Sequence, residues 1–180
     1  NITTLFCPIE MDRGNPISLK NNNKPVANAL ARWQSASKNL FVWDYTVQFA
    51  NYMSPFPNVS YFEENYTTFK ANNVKGLFVQ GYADVPGDFS ELRQYLLAKL
   101  LWDASIDVKA TTADFLRGFY GKAASEIENY LKLLSENQKK SKAYLDIYSG
   151  PVQNRTTYLT PEAMNQYDKF LEKAWQAVDE

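Results

Sequence analysis

The sequence predicts an α/β fold in which parallel β-strands alternate with helices, followed by an all-helical region. Three short apolar runs support this prediction, and each is followed by a segment with helical periodicity. The runs cover residues 4–7, 40–43 and 76–79, and they recur at an interval of roughly 35 residues, which suits a strand–helix–strand unit. We therefore expect functional residues at the carboxyl ends of the strands, where such folds carry their chemistry.

The bulk composition argues against several classes of function. The chain has 180 residues, of which 45% are hydrophobic and 22% charged, and this is enough to bury a core. A net charge of -1 argues against a nucleic-acid partner, which would require a basic face. No apolar run of about 18 residues is present, so the sequence predicts no membrane span.

The lack of histidine restricts the chemistry further. The chain has no histidine and one cysteine, Cys7, so neither a Ser-His-Asp triad nor a Cys-His pair can be built from it alone. The commonest zinc ligand is also missing, and we expect neither a metal nor another cofactor. Cys7 is predicted to be a buried strand residue. Any catalysis would depend on carboxylates, tyrosines or lysines.

Turn and capping signals divide the first two units into strand, loop and helix. The first strand is followed by a long polar loop, residues 9–23, and Pro25 then suits the first turn of a helix. The second strand is followed by the turn-rich segment 54–58. Ser60 and Glu63 then form an S-x-x-E pattern, which predicts a capping box at the start of the second helix.

The third unit repeats this organisation. Asp84 and Gly87 mark its loop as turn residues. Asp88 and Glu91 predict a second capping box. Leucines at helical spacing then continue to Leu100.

The chain divides into a strand–helix part, residues 1–103, and a helical region, residues 104–180. Asp107 is the predicted N-cap of a helix that ends at Gly121. A Thr-Pro pair beginning at Thr160 predicts the start of the last helix.

Three parallel strands with helices on one side do not close a sheet. A complete eight-stranded barrel needs about 250 residues, which is more than this chain contains. The strands therefore form either a small open sheet or the C-terminal part of a larger (β/α)8 barrel of the TIM type. The long helical region after the strands, and a first strand close to residue 1, favour the barrel.

Four segments resemble, in order and spacing, a bacterial family long catalogued as a domain of unknown function. They are N-L-F-V-W-D-Y…P-F-P-N at residues 39–58, V-K-G-L-F-V-Q-G-Y at 74–82, L-R-Q-Y-L-L-A-K-L-L-W-D at 92–103, and F-L-R-G-F-Y-G-K-A-A at 115–124. The opening C-P-I-E-M-D-R is a weaker match, and together the matches extend from residue 5 to residue 135.

The resemblance implies a glycoside-hydrolase-type (β/α)8 barrel with a helical extension, secreted, periplasmic or on the cell surface of bacteria such as gut Bacteroidetes. Characterised members are retaining endo-β-N-acetylglucosaminidases that act on complex N-glycans, and the family is distantly similar to β-hexosaminidase and α-glucuronidase barrels. This chain would supply the last three strands, and the acid/base carboxylate would lie on an earlier strand. Members often carry glutamate where this chain has Val79, which implies altered specificity or a non-catalytic relative.

Under this interpretation Asp44 is the candidate catalytic residue. In a substrate-assisted mechanism the acetamido oxygen attacks the anomeric carbon, and Asp44 would polarise or orient the substrate. The alternative is an aspartate that caps its own loop. Trp43 and Tyr45 are candidate sugar-stacking residues, although strand alternation places them on the face opposite Asp44. Their alternative role is packing under the helices.

The remaining candidate substrate-binding residues follow the first and third strands. Glu10, Asp12 and Arg13 combine carboxylates with a guanidinium, which suits polyol recognition through paired hydrogen bonds. Gln80 and Tyr82 follow the third strand. The alternative for the first group is a solvated loop.

Three functions remain open at this point. The first is part of a glycoside hydrolase acting on N-acetylglucosamine-containing glycans, and the second is a non-catalytic carbohydrate-binding barrel. The third is a helical module that binds other proteins, in which the short strands serve only to anchor the helices. The first predicts an incomplete barrel with an exposed apolar edge, which the N-terminal half of the same barrel or a homodimer would cover.

Overall fold

The computed structural model describes residues 2–82 and 85–179 and shows a three-stranded sheet with helices between its strands and after the last strand. The strands are β1 (Thr3–Phe6), β2 (Asn39–Tyr45) and β3 (Gly76–Gln80). The helices are α1 (Lys24–Ala36), α2 (Phe62–Ala71), α3 (Ser90–Trp102), α4 (Val108–Tyr120), α5 (Ala124–Ser141) and α6 (Pro161–Asp179). Of the helices described, none has the length and apolar character needed to cross a membrane. Asp84, a predicted turn residue, lies outside the described residues.

The sheet has the order β1–β2–β3, and both pairs of strands are parallel. Leu5 lies opposite Phe41, and Phe41 lies opposite Gly76. Parallel neighbours cannot be joined by a tight turn, so each pair needs a crossover, which α1 and α2 provide. The predicted α/β class with three parallel strands is confirmed.

Both crossover helices pack on the same face of the sheet. Leu40 and Val42 of β2 are buried there in one cluster with Leu30 of α1 and Phe69 of α2. Side chains alternate along a strand, so the residues between them point to the opposite side, which we call the open face. Three apolar residues of the open face remain exposed, namely Leu5 (51%), Phe41 (37%) and Phe78 (55%).

The predicted ends of two later helices are confirmed. At the start of α4, the side chain of Asp107 accepts a hydrogen bond of 2.8 Å from the backbone N–H of Ala110. Gly121 follows α4 with a φ of 54°, a conformation that glycine adopts without strain. At the start of α6, the backbone N–H of Ala163 donates to Oγ1 of Thr160 over 3.2 Å.

Both predicted capping boxes are wrong. Ser60 lies within a short 3-10 turn, Val59–Tyr61, and α2 begins after this turn without a side-chain cap. Asp88 is separated from the start of α3 by Phe89, which adopts a left-handed conformation with a φ of 48°. The carboxylate of Asp88 instead pairs with Arg93. An ion pair with a residue five positions later has therefore taken the carboxylate that the S/D-x-x-E pattern assigned to a cap.

The helical region shares a hydrophobic core with the loop that follows β2. Tyr130 of α5 and Tyr167 of α6 are buried in the same cluster as Tyr45 and Phe56. The boundary predicted at residue 103 therefore marks a change in secondary structure within a continuous core.

The segment between α5 and α6, residues 142–160, crosses over the loops that follow β1 and β2. The backbone N–H of Arg13 donates to the carbonyl of Leu145 at 3.0 Å, and that of Phe49 donates to the carbonyl of Ile147 at 2.7 Å. These bonds bring the helical region to the carboxyl edge of the sheet, where functional residues were expected.

Candidate functional site

The carboxyl end of β2 determines which of the predicted residues can meet. β2 continues through Tyr45, so Asp44 points to the helix-packed face while Trp43 and Tyr45 belong to the open face. The separation of Asp44 from the two aromatic rings, which the alternation predicts, is therefore present in the fold.

Asp44 forms a buried ion pair with Arg13. Nη1 of Arg13 donates to Oδ1 of Asp44 at 2.5 Å, and each residue is only 3% exposed. Nη2 of Arg13 donates to the carbonyl of Pro8 at 2.8 Å, and the guanidinium carbon lies 5.6 Å from the ring centre of Tyr45. The pair thus ties the loop after β1 to the end of β2, and neither side chain has free surface to offer a ligand.

Asp12 organises the long loop after β1 and is itself almost fully buried. Its carboxylate accepts four hydrogen bonds, and the donors are the backbone N–H groups of Gly14 and Leu145 and the side-chain amides of Asn15 and Asn22. A carboxylate with its acceptor sites filled in this way has no capacity left for a sugar hydroxyl. The burial of Asp12 and Arg13 therefore favours a structural role over both the sugar contact and the solvated loop considered from the sequence.

Glu10 and Cys7 lie on the outside of the same loop. The side chain of Glu10 is exposed, and its backbone carbonyl accepts a hydrogen bond of 2.5 Å from the hydroxyl of Tyr144. Cys7 is exposed as well, so the prediction of a buried strand cysteine is wrong. A longer β1 would not bury it either, because alternation would place it beside Leu5 on the open face, and Leu5 is itself 51% exposed.

On the open face, Trp43 and Gln80 form a hydrogen-bonded pair. Nε1 of Trp43 donates to Oε1 of Gln80 at 2.9 Å across two neighbouring strands. The indole ring meets the ring of Phe78 edge to face, with centres 4.8 Å apart, and stacks on Tyr45 at 6.3 Å. The result is an apolar surface with an amide at its edge.

This surface continues along the carboxyl edge of the sheet as a chain of rings. Phe49 contacts Tyr45 at 6.2 Å, Tyr52 at 6.4 Å and Tyr148 at 6.3 Å, and Tyr52 contacts Tyr82 at 5.2 Å. We call these connected rings the aromatic belt. Its members are Phe78, Trp43, Tyr45, Phe49, Tyr52, Tyr82 and Tyr148.

Two tyrosines of the belt have phenol pKa values above the usual value for tyrosine. Burial raises the pKa of Tyr82 to about 12, and the hydroxyl of Tyr82 donates to the backbone carbonyl of Asp88 at 2.7 Å. Burial also raises the pKa of Tyr45, and the neighbouring Arg13 only partly opposes this effect. Both phenols are therefore hydrogen-bonding groups rather than bases at neutral pH.

Arg93 of α3 is a central residue that sequence reasoning missed. It is 2% exposed and donates to Asp88 Oδ2 at 2.7 Å, to the carbonyl of Phe56 at 2.5 Å and to Oδ1 of Asn58. Arg93 thereby joins the P-F-P-N segment to the L-R-Q-Y segment. The available signal was its place on the apolar stripe of α3, between leucines, where a buried arginine requires partners.

Val79 packs under the helices, in a cluster with Phe62 and Leu92. Strand pairing places it beside Asp44 and therefore on the helix-packed face. A glutamate at this position would also point towards the helices. The difference at position 79 therefore lies on the helix-packed face and not on the open face.

The predicted residues do not meet in one enclosed cavity. Trp43, Tyr45, Gln80 and Tyr82 gather along the aromatic belt, whereas Asp12 and Arg13 are buried in the loop after β1, where Arg13 pairs with Asp44, and Glu10 lies on the outside of that loop. A cleft of about 410 Å³ lies elsewhere, between α3, α4 and α5, and none of the predicted residues lines it. Among residues 2–82 and 85–179, no cluster of three or more Cys, Asp or Glu side chains is placed to hold a metal ion.

Comparison with known proteins places the chain in a family. Neither the curated proteins nor the solved structures include a match to it. The family model described as Domain of unknown function (DUF4838) matches residues 1–132, which include all three strands, the aromatic residues of β2 and β3, and the Arg93 network. This match covers well over half of the chain, and the chain therefore belongs to the DUF4838 family.

Proposed function

We propose that this chain is part of a retaining glycoside hydrolase that acts on N-acetylglucosamine-containing glycans, in the manner of an endo-β-N-acetylglucosaminidase. Its sheet forms an arc of a (β/α)8 barrel, and its aromatic belt lines the sugar-binding side of that arc. The protein acts outside the cytoplasm, in the periplasm, at the cell surface or after secretion. The observation that carries this proposal is the Trp43–Gln80 pair within the belt, at the carboxyl edge of a parallel sheet.

The arrangement of strands and helices supports the barrel. Sequential strand order with every strand parallel is the order of a (β/α)8 barrel. Both crossover helices lie on one face, whereas a doubly wound sheet carries helices on both. Parallel sheets are normally buried on both faces, so the exposed Leu5, Phe41 and Phe78 call for further strands that complete the enclosure.

The chemistry of the belt supports a carbohydrate ligand. Sugar rings present apolar C–H faces together with hydroxyl groups, and aromatic rings with polar edges match both. Trp43 supplies the ring and Gln80 supplies an amide whose carbonyl and N–H groups can bond hydroxyl or acetamido groups. The phenols of Tyr52 and Tyr82 add hydroxyl groups beside the rings.

The main acid of the reaction comes from another part of the protein in this proposal. All strand residues are described, and none of those on the open face carries a carboxylate. Asp44 is held behind the sheet by Arg13, so we assign it a positioning role: the pair fixes the end of β2, which carries Trp43 and Tyr45.

Glycan release from a complex N-glycoprotein, with the protein in its full natural length, tests the proposal. Trp43→Ala is expected to lower kcat/KM about tenfold or more, because it removes the centre of the ring surface. Trp33→Ala on α1 is the matched control, since Trp33 is a half-exposed tryptophan away from the belt. Equal rates for both variants, or no release by the wild type, would contradict the proposal. Unchanged turnover in folded Asp44→Asn would remove Asp44 from the site.

A non-catalytic carbohydrate-binding barrel is the second candidate. The buried, paired state of Asp44 and the carboxylate-free strands of the open face favour it. It predicts that the wild type binds the glycan in a Trp43-dependent way and releases no sugar. The glycosidase proposal predicts both binding and release, so one assay with two readouts separates them.

A further inference from the structure

We infer that Tyr148 is a sugar-contacting residue that extends the glycan platform from the sheet onto the helical region. The ligand is then an oligosaccharide several residues long rather than a single terminal sugar. This inference rests on the proposed function and adds a residue and a minimum ligand size to it. Tyr148 lies in the crossing segment between α5 and α6, beyond the residues that the family model matches.

The position of the Tyr148 ring is the first observation. Its centre lies 6.3 Å from that of Phe49, and its plane is tilted by 57°. Phe49 in turn contacts Tyr45, which stacks on Trp43. Tyr148 is therefore the outer end of a continuous chain of rings that begins on the strands.

The exposure of Tyr148 is the second observation. It is 63% exposed, whereas Leu145 and Ile147, its neighbours in the same segment, are fully buried in the core. The side chains of Leu145 and Ile147 anchor the segment in the core, so the segment does not need the ring of Tyr148 to hold it in place. An exposed aromatic ring on an anchored segment is free to contact a ligand.

The backbone around Tyr148 is held in place before any ligand binds. The backbone N–H of Tyr148 donates to Oδ1 of Asp146 at 2.8 Å, and the N–H of Ser149 donates to the carbonyl of Asp146 at 3.2 Å. The N–H of Phe49 bonds the carbonyl of Ile147 at 2.7 Å, which fixes this turn against the loop after β2. A preorganised ring loses little conformational entropy on binding, which favours affinity.

The length of the ring chain determines the ligand class. Five rings follow one another from β3 to the crossing segment, with each centre between 4.8 Å and 6.3 Å from the next. The middle ring, Tyr45, is buried, so the rings that a ligand can reach lie on either side of it. A single sugar covers about one aromatic face and would not contact both Trp43 and Tyr148. A branched or extended glycan would contact both the strand end and Tyr148.

Equilibrium binding of two ligands by the full-length protein tests the inference. The ligands are a complex N-glycan and the N-acetylglucosamine disaccharide of its core. Tyr148→Ala is expected to weaken binding of the long glycan about five- to tenfold, the loss of one ring contact, and to leave the disaccharide affinity unchanged. Tyr148→Phe keeps the ring and is expected to retain most of the affinity.

Phe119→Ala is the matched control, because Phe119 is a similarly exposed ring on α4 outside the aromatic belt. It is expected to change neither affinity. Equal weakening of both ligands by Tyr148→Ala, or no weakening of the long glycan in a folded variant, would overturn the inference while glycan binding itself persists. If the wild type binds neither ligand, the proposed function fails first, and the inference fails with it.

Discussion

The two faces of the sheet are built from the same three strands yet differ in almost every physical property. On the helix-packed face, Leu40 and Val42 are fully buried and the strand ends in the Arg13–Asp44 ion pair. On the open face, Phe41 and Phe78 remain exposed and the strands end in rings and amides. The helices of this chain cover one face, whereas apolar side chains of the other face remain exposed.

The predicted charged residues and the predicted neutral residues occupy different environments in the fold. The charged candidates Asp12, Arg13 and Asp44 are buried and stabilise loops, and every one of them is paired or hydrogen-bonded. The neutral candidates Trp43 and Gln80 form the surface that a ligand can reach. In the proposed function, recognition of the glycan therefore depends on rings and amides.

The largest expected effect comes from breaking the ion pair behind the sheet. Arg13→Met leaves the carboxylate of Asp44 buried without its partner, and we expect a loss of about 3–5 kcal/mol in the free energy of unfolding. Urea denaturation followed by circular dichroism measures this loss. The double variant Arg13→Met/Asp44→Leu should regain much of it, since no unpaired charge remains. A loss below about 1 kcal/mol in the single variant would show that the pair is not desolvated.

Substitutions at two adjacent residues of β2 compare how much each face of the sheet contributes to the free energy of unfolding. Leu40→Ala opens a cavity under the helices, and we expect it to lower the free energy of unfolding by about 2–5 kcal/mol. Phe41→Ala on the open face removes a larger side chain but is expected to cost about 1 kcal/mol or less, because that ring is already partly solvated. Thermal denaturation of both variants provides the measurement. Equal losses would mean that the open face is covered in solution by more of the protein or by a second copy.

The hydrogen bond between Trp43 and Gln80 has a smaller expected effect on stability. Gln80→Ala is expected to lower the free energy of unfolding by about 0.5–1.5 kcal/mol, the net contribution of one hydrogen bond. The same variant should weaken glycan binding, since the amide is also the polar edge of the ring surface. If Gln80→Ala leaves the glycan affinity unaltered, Gln80 does not contact the glycan and serves only to orient the indole ring of Trp43.

Alkaline pH provides the mildest test and involves two tyrosines from different parts of the fold. Burial raises the pKa of Tyr82, in the belt, and of Tyr61, before α2, to about 12, whereas a tyrosine in the unfolded chain titrates near 10. Between these values the folded protein retains protons that the unfolded chain has lost, so the free energy of unfolding should fall as pH rises from about 10 to about 12.

Denaturation at a series of pH values checks this slope. Tyr82→Phe and Tyr61→Phe should each make it shallower, because each removes one group that titrates differently in the two states. Below about pH 9 neither phenol ionises in either state, so both variants should then parallel the wild type. A slope that both variants leave unchanged would contradict the role of these phenols.

Local patterns anticipated elements that depend on a few neighbouring residues. The N-cap at Asp107, the helix end at Gly121 and the three parallel strands were predictable, because capping, positive φ and apolar runs are read from short stretches of chain. The capping boxes at Ser60 and Asp88 were not, since Asp88 bonds Arg93 and Ser60 lies in a 3-10 turn. The exposure of Cys7 could not be predicted either, since burial depends on what covers a strand, and Leu5 of β1 is exposed as well.

Sequence alone thus determined the alternation of strands and helices, the face on which Trp43 and Tyr45 lie relative to Asp44, and the aromatic composition of the strand ends. Only the tertiary structure decided that Asp12, Arg13 and Asp44 are buried and that Arg93 joins two distant segments. It alone brought Tyr148 of the helical region beside Phe49. The physical reason is that alternation and capping act over a few residues, whereas burial and ion pairing depend on groups that are far apart along the chain and meet only after folding.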